Sequence, residues 1–172
     1  SDLSLNISRE VLQKDPNVSA IKTALTKRVL DLLKRLSSKE ADKYHTFWKE
    51  FGAVFKEGLA EDVNNRKKIA GLLRFNTTVS EGTAPDRSLD DYISDSSKQS
   101  VIYYLSGDST SSVRASPHLE IFKDKGIEVL LLSDRIDEWV MQHLPEYKDK
   151  PFKDIARGDL DFAEGADVTV ET

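Results

Sequence analysis

The sequence predicts an α/β protein, α+β overall, in which a helical connector of about three helices precedes a small three-layer α/β/α unit with a short, mainly parallel sheet. The first half of the chain repeats apolar residues at spacings of three and four, which is typical of helices that bury one face. The second half alternates short β-branched or aromatic runs with short helical segments. This alternation indicates parallel strands that are joined by helices.

The composition excludes several classes of function. The 172 residues carry a net charge of −5, which argues against general nucleic-acid binding because that function usually needs a basic face. The chain contains no cysteine, so disulfides and thiolate metal sites are excluded. Its three histidines lack the spacing of a metal site. No apolar run approaches the roughly 20 residues that span a bilayer.

A first helix is predicted over residues 16 to about 36. Asp15 is a good N-cap, and Pro16 suits the first helical position, where no backbone N–H is needed. We expect one buried face because the apolar residues recur at helical spacing. These residues are Val18, Ile21, Leu25, Val29, Leu32 and Leu36.

Two further helices complete the predicted connector. Ser37 and Glu40 form a capping-box pattern that opens the second helix, and Gly58 is a favourable C′ residue at its end. The third helix is expected over roughly residues 62–75, with Ile69, Leu72 and Leu73 facing inward. The aromatic side of the second helix is expected in the core: Tyr44, Phe47, Trp48, Phe51 and Phe55.

The segment 76–87 is rich in Thr, Ser and Gly and contains Pro85, so we place a subdomain boundary there. Beyond it, Ser88 starts a short helix, and further helices are predicted at residues 117–125 and 137–144. Strands are predicted at residues 101–105, 128–132, 152–156 and 160–162. The resulting division is a helix start in 1–15, the connector in 16–87, the α/β subdomain in 88–162, and an acidic tail or linker in 163–172.

Two segments are candidates for binding. Ser8 can cap a helix in which Arg9 and Gln13 stand one turn apart on the same face, and a guanidinium held this way can meet a phosphate at two points. From these residues alone, a surface arginine on a capped helix is the plainer interpretation. In residues 137–142, Trp139 lies beside acidic groups and Met141. This segment is either a surface for non-native chains or part of the core.

The sequence resembles the heat-shock-protein-90 chaperones from residue 1 to about 162. The likeness begins with the run Leu-Asn-Ile-Ser-Arg-Glu-Val-Leu-Gln at residues 5–13, which resembles a loop of the family's middle domain. It continues in family order through residues 25–30, 44–48, 56–58, 61–62, 72–75, 102–104, 116–120 and 126–139. The last block, with its Asp-Glu-Trp, looks most like the bacterial branch.

The resemblance implies a fragment of a cytoplasmic, dimeric heat-shock chaperone that remodels unfolded or partly folded proteins. In that family ATP, with Mg, binds a separate N-terminal domain, and the middle domain supplies an arginine to the γ-phosphate. Arg9 matches that arginine and Gln13 its partner, so residues 1–15 contain a remnant of the catalytic loop. The fragment alone is not expected to hydrolyse ATP.

Two further implications concern partners. The residues that match the family's client contacts are Glu138, Trp139 and Gln142. Three apolar residues near the start of the chain either dock on the ATPase domain or pack locally: Leu3, Leu5 and Ile7. Dimerisation is expected to require a domain beyond this chain. The alternative from another class is a non-catalytic adaptor module that only docks protein partners. The loop at residues 94–99 departs from the family, because it lacks an arginine that relatives usually carry there.

Overall fold

The computed structural model describes residues 9–11 and 14–157. These residues fall into two compact units, one up to Tyr44 and the other from His45 onward. The subdomain boundary predicted within residues 76–87 does not coincide with this division and stays a prediction. The predicted strand at 160–162 and the acidic tail at 163–172 lie outside the described residues.

The first long helix, α1, spans Pro16–Lys39. Its start is as predicted, because the Asp15 side chain accepts a hydrogen bond of 2.8 Å from the Asn17 N–H. The predicted capping box at Ser37 is wrong: the Ser37 hydroxyl donates back to the Lys34 carbonyl at 2.8 Å, and the helix continues. Glu40, with φ −136° and ψ 65°, is the residue that ends it.

The buried face of α1 differs from the predicted one. Leu30 and Leu33 are buried, whereas five of the six expected residues are exposed and Leu36 is half-buried. The exposed five are Val18, Ile21, Leu25, Val29 and Leu32. A spacing pattern identifies residues that share a helix face but not what covers that face, and α1 is apolar over more than one side.

The second helix, α2, spans Ala41–Glu61 and passes through the predicted stop at Gly58. The stop is wrong because the Asp62 N–H still bonds to the Gly58 carbonyl at 2.9 Å, which continues the helical ladder. The expected aromatic core is confirmed for Tyr44 and Trp48, which are buried. It is wrong for Phe51, which is 52% exposed.

The third helix, α3, covers only Arg66–Leu72, because residues before it form a turn. The Asp62 carboxylate accepts from the Asn65 backbone N–H at 3.2 Å and from its side-chain amide at 2.8 Å. Ile69, Leu72 and Leu73 are buried, as predicted.

Five strands form one mixed sheet in the order β1-β3-β2-β5-β4. The three central strands run parallel, and the two edge strands are antiparallel to their neighbours. The mainly parallel sheet is therefore confirmed. The strands are β1 Asn76–Thr77, β2 Ile102–Ser106, β3 Leu130–Leu132, β4 Glu146–Tyr147 and β5 Lys150–Asp154.

Short helices connect these strands. They are α4 Leu89–Asp95, α5 Thr110–Arg114, a 3-10 turn at Pro117–Leu119, α6 Glu120–Asp124 and α7 Arg135–His143. One face of the sheet packs against α5 and α6, where Tyr103 and Phe122 meet edge to face with ring centroids 5.0 Å apart. The helices α4, α6 and α7 lie within a few residues of their predicted positions, whereas the sequence analysis missed α5.

Residues 76–87 are fastened to the α/β unit by an arginine on α5. The Arg114 guanidinium donates to the carbonyls of Thr77 at 3.0 Å, Ser80 at 2.9 Å and Gly82 at 2.7 Å. Thr77 is the last residue of β1, and Ser80 and Gly82 lie in the irregular loop after it, so the arginine supplies that loop with hydrogen bonds that regular secondary structure would otherwise provide.

Candidate functional site

The predicted phosphate-seeking pair is described only in part. Arg9 has a helical backbone and an exposed side chain, as do Glu10, Val11 and Lys14. Gln13 lies outside the described residues, and so do Ser8 and the apolar residues Leu3, Leu5 and Ile7. An exposed guanidinium is accessible to a phosphate, but the pairing of Arg9 with Gln13 stays a prediction.

The second candidate lies on α7, which starts with a complete capping box. The Asp137 carboxylate accepts from the Asp134 N–H at 3.1 Å, and Asp134 caps the helix in return. Sequence-local chemistry therefore fixes where α7 begins, because both partners stand three residues apart. The helix ends at His143, two residues before Pro145.

α7 separates its buried and exposed side chains clearly. Asp137 and Val140 are buried, whereas Glu138, Trp139 and Gln142 are exposed. Trp139 is 40% exposed, so the core interpretation of this tryptophan is wrong. Residues i, i+1 and i+4 on a helix project to one side, so the structure brings the three predicted client-contact residues onto one surface.

The indole of Trp139 packs against the imidazole of His143. The two ring centroids are 5.5 Å apart at 81°, an edge-to-face arrangement. Nδ1 of His143 lies 2.8 Å from the Trp139 carbonyl oxygen, which can only accept, so this nitrogen carries the proton. Trp139 therefore has an aromatic neighbour on its own helix and still faces solvent.

Beneath this surface, α7 is tied to α2 by an ion pair. Lys56 Nζ lies 2.7 Å from Oδ1 of Asp137 and 3.9 Å from Oδ2 of Asp134. The Lys56 and Asp137 side chains are only 14% and 5% exposed. Oδ1 of Asp137 has no hydrogen bond besides this ion pair. Nothing local in the sequence indicates this pair, because Lys56 and Asp137 are far apart in the chain.

A second buried polar cluster surrounds Glu128. Arg87 donates to its carboxylate, and this hydrogen bond is the main reason that the pKa of Arg87 is raised above its usual value. The Tyr92 hydroxyl donates to the Glu128 carbonyl at 2.8 Å, and burial is the main cause of the raised pKa of Tyr92. Both pKa shifts are upward, so Arg87 stays charged and Tyr92 stays neutral at neutral pH, and this cluster stabilises the fold.

Two further features are absent from the described part of the chain, a cluster of metal-ligating side chains and a membrane-spanning helix. Residues 9–11 and 14–157 contain no group of three or more His, Cys, Asp or Glu side chains that could hold a metal ion. Over the same residues, no helix combines the length and the apolar character that crossing a membrane requires.

Comparisons with known proteins agree with this architecture. The family model described as Hsp90 protein matches residues 1–171. The chain is also similar to the solved middle domain of a heat shock protein from Plasmodium falciparum, with 30% sequence identity and a TM-score of 0.75. The match covers 84% of this chain and 61% of that structure, so this chain spans less than two thirds of it. The chain therefore belongs to the Hsp90 family of heat-shock chaperones and has the fold of part of its middle domain.

Proposed function

We propose that this chain is a working part of an ATP-dependent chaperone that binds and remodels unfolded or partly folded proteins. The family match over residues 1–171 is the observation that carries this proposal. In the parent protein a separate N-terminal domain holds ATP with Mg, and a C-terminal domain makes the homodimer. This chain contributes an arginine and a client surface, and it hydrolyses nothing alone.

The proposed parent belongs to the bacterial branch of the family and works in the cytoplasm. The support for this finer assignment is the Asp-Glu-Trp run at residues 137–139.

Arg9 is the residue proposed to act on the nucleotide. Its side chain is exposed, as a group that reaches a phosphate on another domain must be. A guanidinium keeps its charge and binds phosphate oxygens at two points, so it stabilises the negative charge that accumulates during phosphoryl transfer. Gln13, one turn further on, is proposed to orient it.

Mixing this chain with an isolated Hsp90 ATPase domain and Mg-ATP tests the role of Arg9. We expect Arg9→Ala to lower the stimulated rate of hydrolysis by at least about tenfold, since an arginine in this role contributes a large factor. The stimulated rate of Arg9→Lys should lie between those of the wild type and Arg9→Ala, because a lysine keeps the charge without the two-point contact. Lys14→Ala, at another exposed cation of the same segment, is the control. An unchanged rate for Arg9→Ala would contradict the proposal.

The client surface is proposed to consist of Glu138, Trp139 and Gln142. An indole supplies a large apolar area with one N–H donor, and the amide of Gln142 can donate to and accept from an extended backbone. Non-native chains expose both apolar side chains and unpaired backbone groups. One exposed helix face therefore offers the two kinds of contact that such chains need.

Titrating labelled, reduced and carboxymethylated α-lactalbumin, a permanently unfolded protein, tests this surface by fluorescence anisotropy. Trp139→Ala should weaken binding by about tenfold, as expected for an aromatic interface residue. Ile121→Ala is the matched control, because Ile121 is 51% exposed on α6, outside the proposed surface. The two experiments together distinguish the chaperone proposal from the alternative of a non-catalytic adaptor. The adaptor alternative predicts that Trp139→Ala weakens protein binding while Arg9→Ala leaves ATP hydrolysis unchanged.

A further inference from the structure

The position of α7 depends on one directional contact. Its buried side chains are Asp137 and Val140. Val140 makes apolar contacts, which allow a helix to slide or rotate at little cost. Asp137, in contrast, lies 2.7 Å from Lys56 Nζ on α2. A helix of nine residues has little stability alone, so its position depends on how it is attached to the rest of the unit, and the ion pair with Lys56 is a directional attachment at its first turn.

The ion pair acts on the turn from which the client surface projects. Asp137 is the third residue of α7, and its other carboxylate oxygen closes the capping box with Asp134. Lys56 therefore contacts a group that already defines the helix start, and Trp139 follows two residues later. A displacement of this first turn moves the indole with it.

A cation at this point depends on the two aspartates. The N-terminal end of a helix carries partial positive charge, which disfavours a nearby ammonium group. The carboxylates of Asp137 and Asp134, at 2.7 and 3.9 Å from Nζ, offset that cost. Since the Lys56 side chain is only 14% exposed, it is nearly shielded from a client and acts through Asp137.

We propose that Lys56 is a positioning residue of the client surface, which it aligns by fixing the first turn of α7 through its ion pair with Asp137. This inference rests on the proposed client-binding role of Glu138, Trp139 and Gln142. Lys56 gives α2 a part in client binding although its own side chain does not reach the client.

The test compares Lys56→Met with Lys56→Arg. Methionine keeps a similar stem without the charge, and arginine restores the charge. Binding is measured without urea, at a temperature where all variants are folded. Lys56→Met should weaken binding of carboxymethylated α-lactalbumin by about tenfold, which is the size of effect expected of a residue that acts on a site without touching the ligand. Lys56→Arg should recover most of the affinity. Lys148→Met, which breaks the exposed 2.6 Å pair with Asp90, should leave it unchanged.

A spectroscopic readout separates positioning from loss of stability. Acrylamide quenching reports mainly on Trp139, because Trp48 is only 4% exposed. Lys56→Met should change this quenching in the folded protein, and Lys56→Arg should restore it. Either wild-type affinity or wild-type quenching in folded Lys56→Met would overturn the inference. If Lys56→Met does not fold, Asp137→Asn replaces it, because this variant removes the negative charge while its amide oxygen can still close the capping box. Wild-type affinity in Asp137→Asn would overturn the inference as well.

The client proposal and the positioning inference fail differently. If Trp139→Ala binds the unfolded probe as well as wild type, the client surface is wrong and the inference falls with it. If Trp139→Ala weakens binding but folded Lys56→Met does not, the client surface stands and only the role of Lys56 is wrong.

Discussion

Arg87 and Glu128, 41 residues apart in the chain, meet through two parallel hydrogen bonds of 2.9 Å between guanidinium and carboxylate. The Glu128 side chain is only 4% exposed, and the Thr77 hydroxyl donates to the same carboxylate at 2.7 Å. Two-point pairing of this kind is the strongest arrangement of these groups. It joins Arg87, two residues before α4, and Thr77 of the edge strand β1 to Glu128, two residues before β3.

Removing the buried charge at this junction should be costly. Glu128→Gln leaves Arg87 without its buried counter-charge, and we expect the free energy of unfolding to fall by about 3 kcal/mol. Urea denaturation followed by circular dichroism measures this. Asp95 also pairs with Arg87, but the Asp95 side chain is 63% exposed. Asp95→Asn should therefore lower the free energy of unfolding by less than about 1 kcal/mol. Equal losses for the two variants would contradict the assignment of the buried pair as the dominant one.

The stability of the fold should decline at alkaline pH because of Tyr92. Burial raises the pKa of this phenol above its ordinary value, so the unfolded chain loses the proton first, near pH ~10. The contribution is therefore complete below about pH 10 and is lost as the pH rises through that value toward the folded pKa. Unfolding free energies between about pH 8 and about pH 11 should show this decline, with a smaller slope in Tyr92→Phe.

A second tyrosine tests whether burial is the general cause. Burial also raises the pKa of Tyr147, helped by a hydrogen bond to Asp90 at 3.0 Å. Tyr147→Phe should therefore reduce the alkaline slope as well. If neither phenylalanine variant changed the slope, burial of Tyr92 and Tyr147 would not be the cause of the alkaline loss of stability.

Local sequence signals predicted the starts of helices better than their ends or their partners. Asp15 and Pro16 determine where α1 begins through contacts within a few residues, and such contacts can be read from sequence. Ser37 offered two local options, a cap or a bond back to the Lys34 carbonyl, and the second prevails. A single sequence contains nothing that decides between them.

Features that depend on distant partners could not be predicted. β1 is two residues long and exists because Asn76 and Thr77 pair with Leu131 and Leu130 of β3. Similarly, Trp139 was identified as a candidate from its own segment, whereas Lys56, on another helix, was not connected to it. The residues of the proposed client surface could thus be selected from the sequence, whereas the ion pair beneath them could not.

The two neighbouring leucines of α1 provide a direct test of which face is buried. Leu33 is 6% exposed and Leu32 is 61% exposed. Leu33→Ala should lower the free energy of unfolding by about 2–3 kcal/mol, because it removes buried methyl groups, while Leu32→Ala should change it by less than about 0.5 kcal/mol. Thermal or urea unfolding of both variants measures the two changes. The reverse order would restore the face predicted from the apolar spacing.

Two glycines should respond to alanine with opposite signs. Gly58 lies inside α2 with no atom within 4 Å of an added Cβ, so Gly58→Ala should stabilise the protein by about 0.5–1 kcal/mol through helix propensity. Gly126 has φ +66° and closes α6, where the next N–H, that of Ile127, bonds to the Phe122 carbonyl at 2.8 Å. Gly126→Ala should destabilise by about 1 kcal/mol, because an L side chain is strained at this φ. Urea unfolding of the two variants compares them directly. Destabilisation by Gly58→Ala would indicate that α2 ends near Gly58, the stop that the sequence predicts.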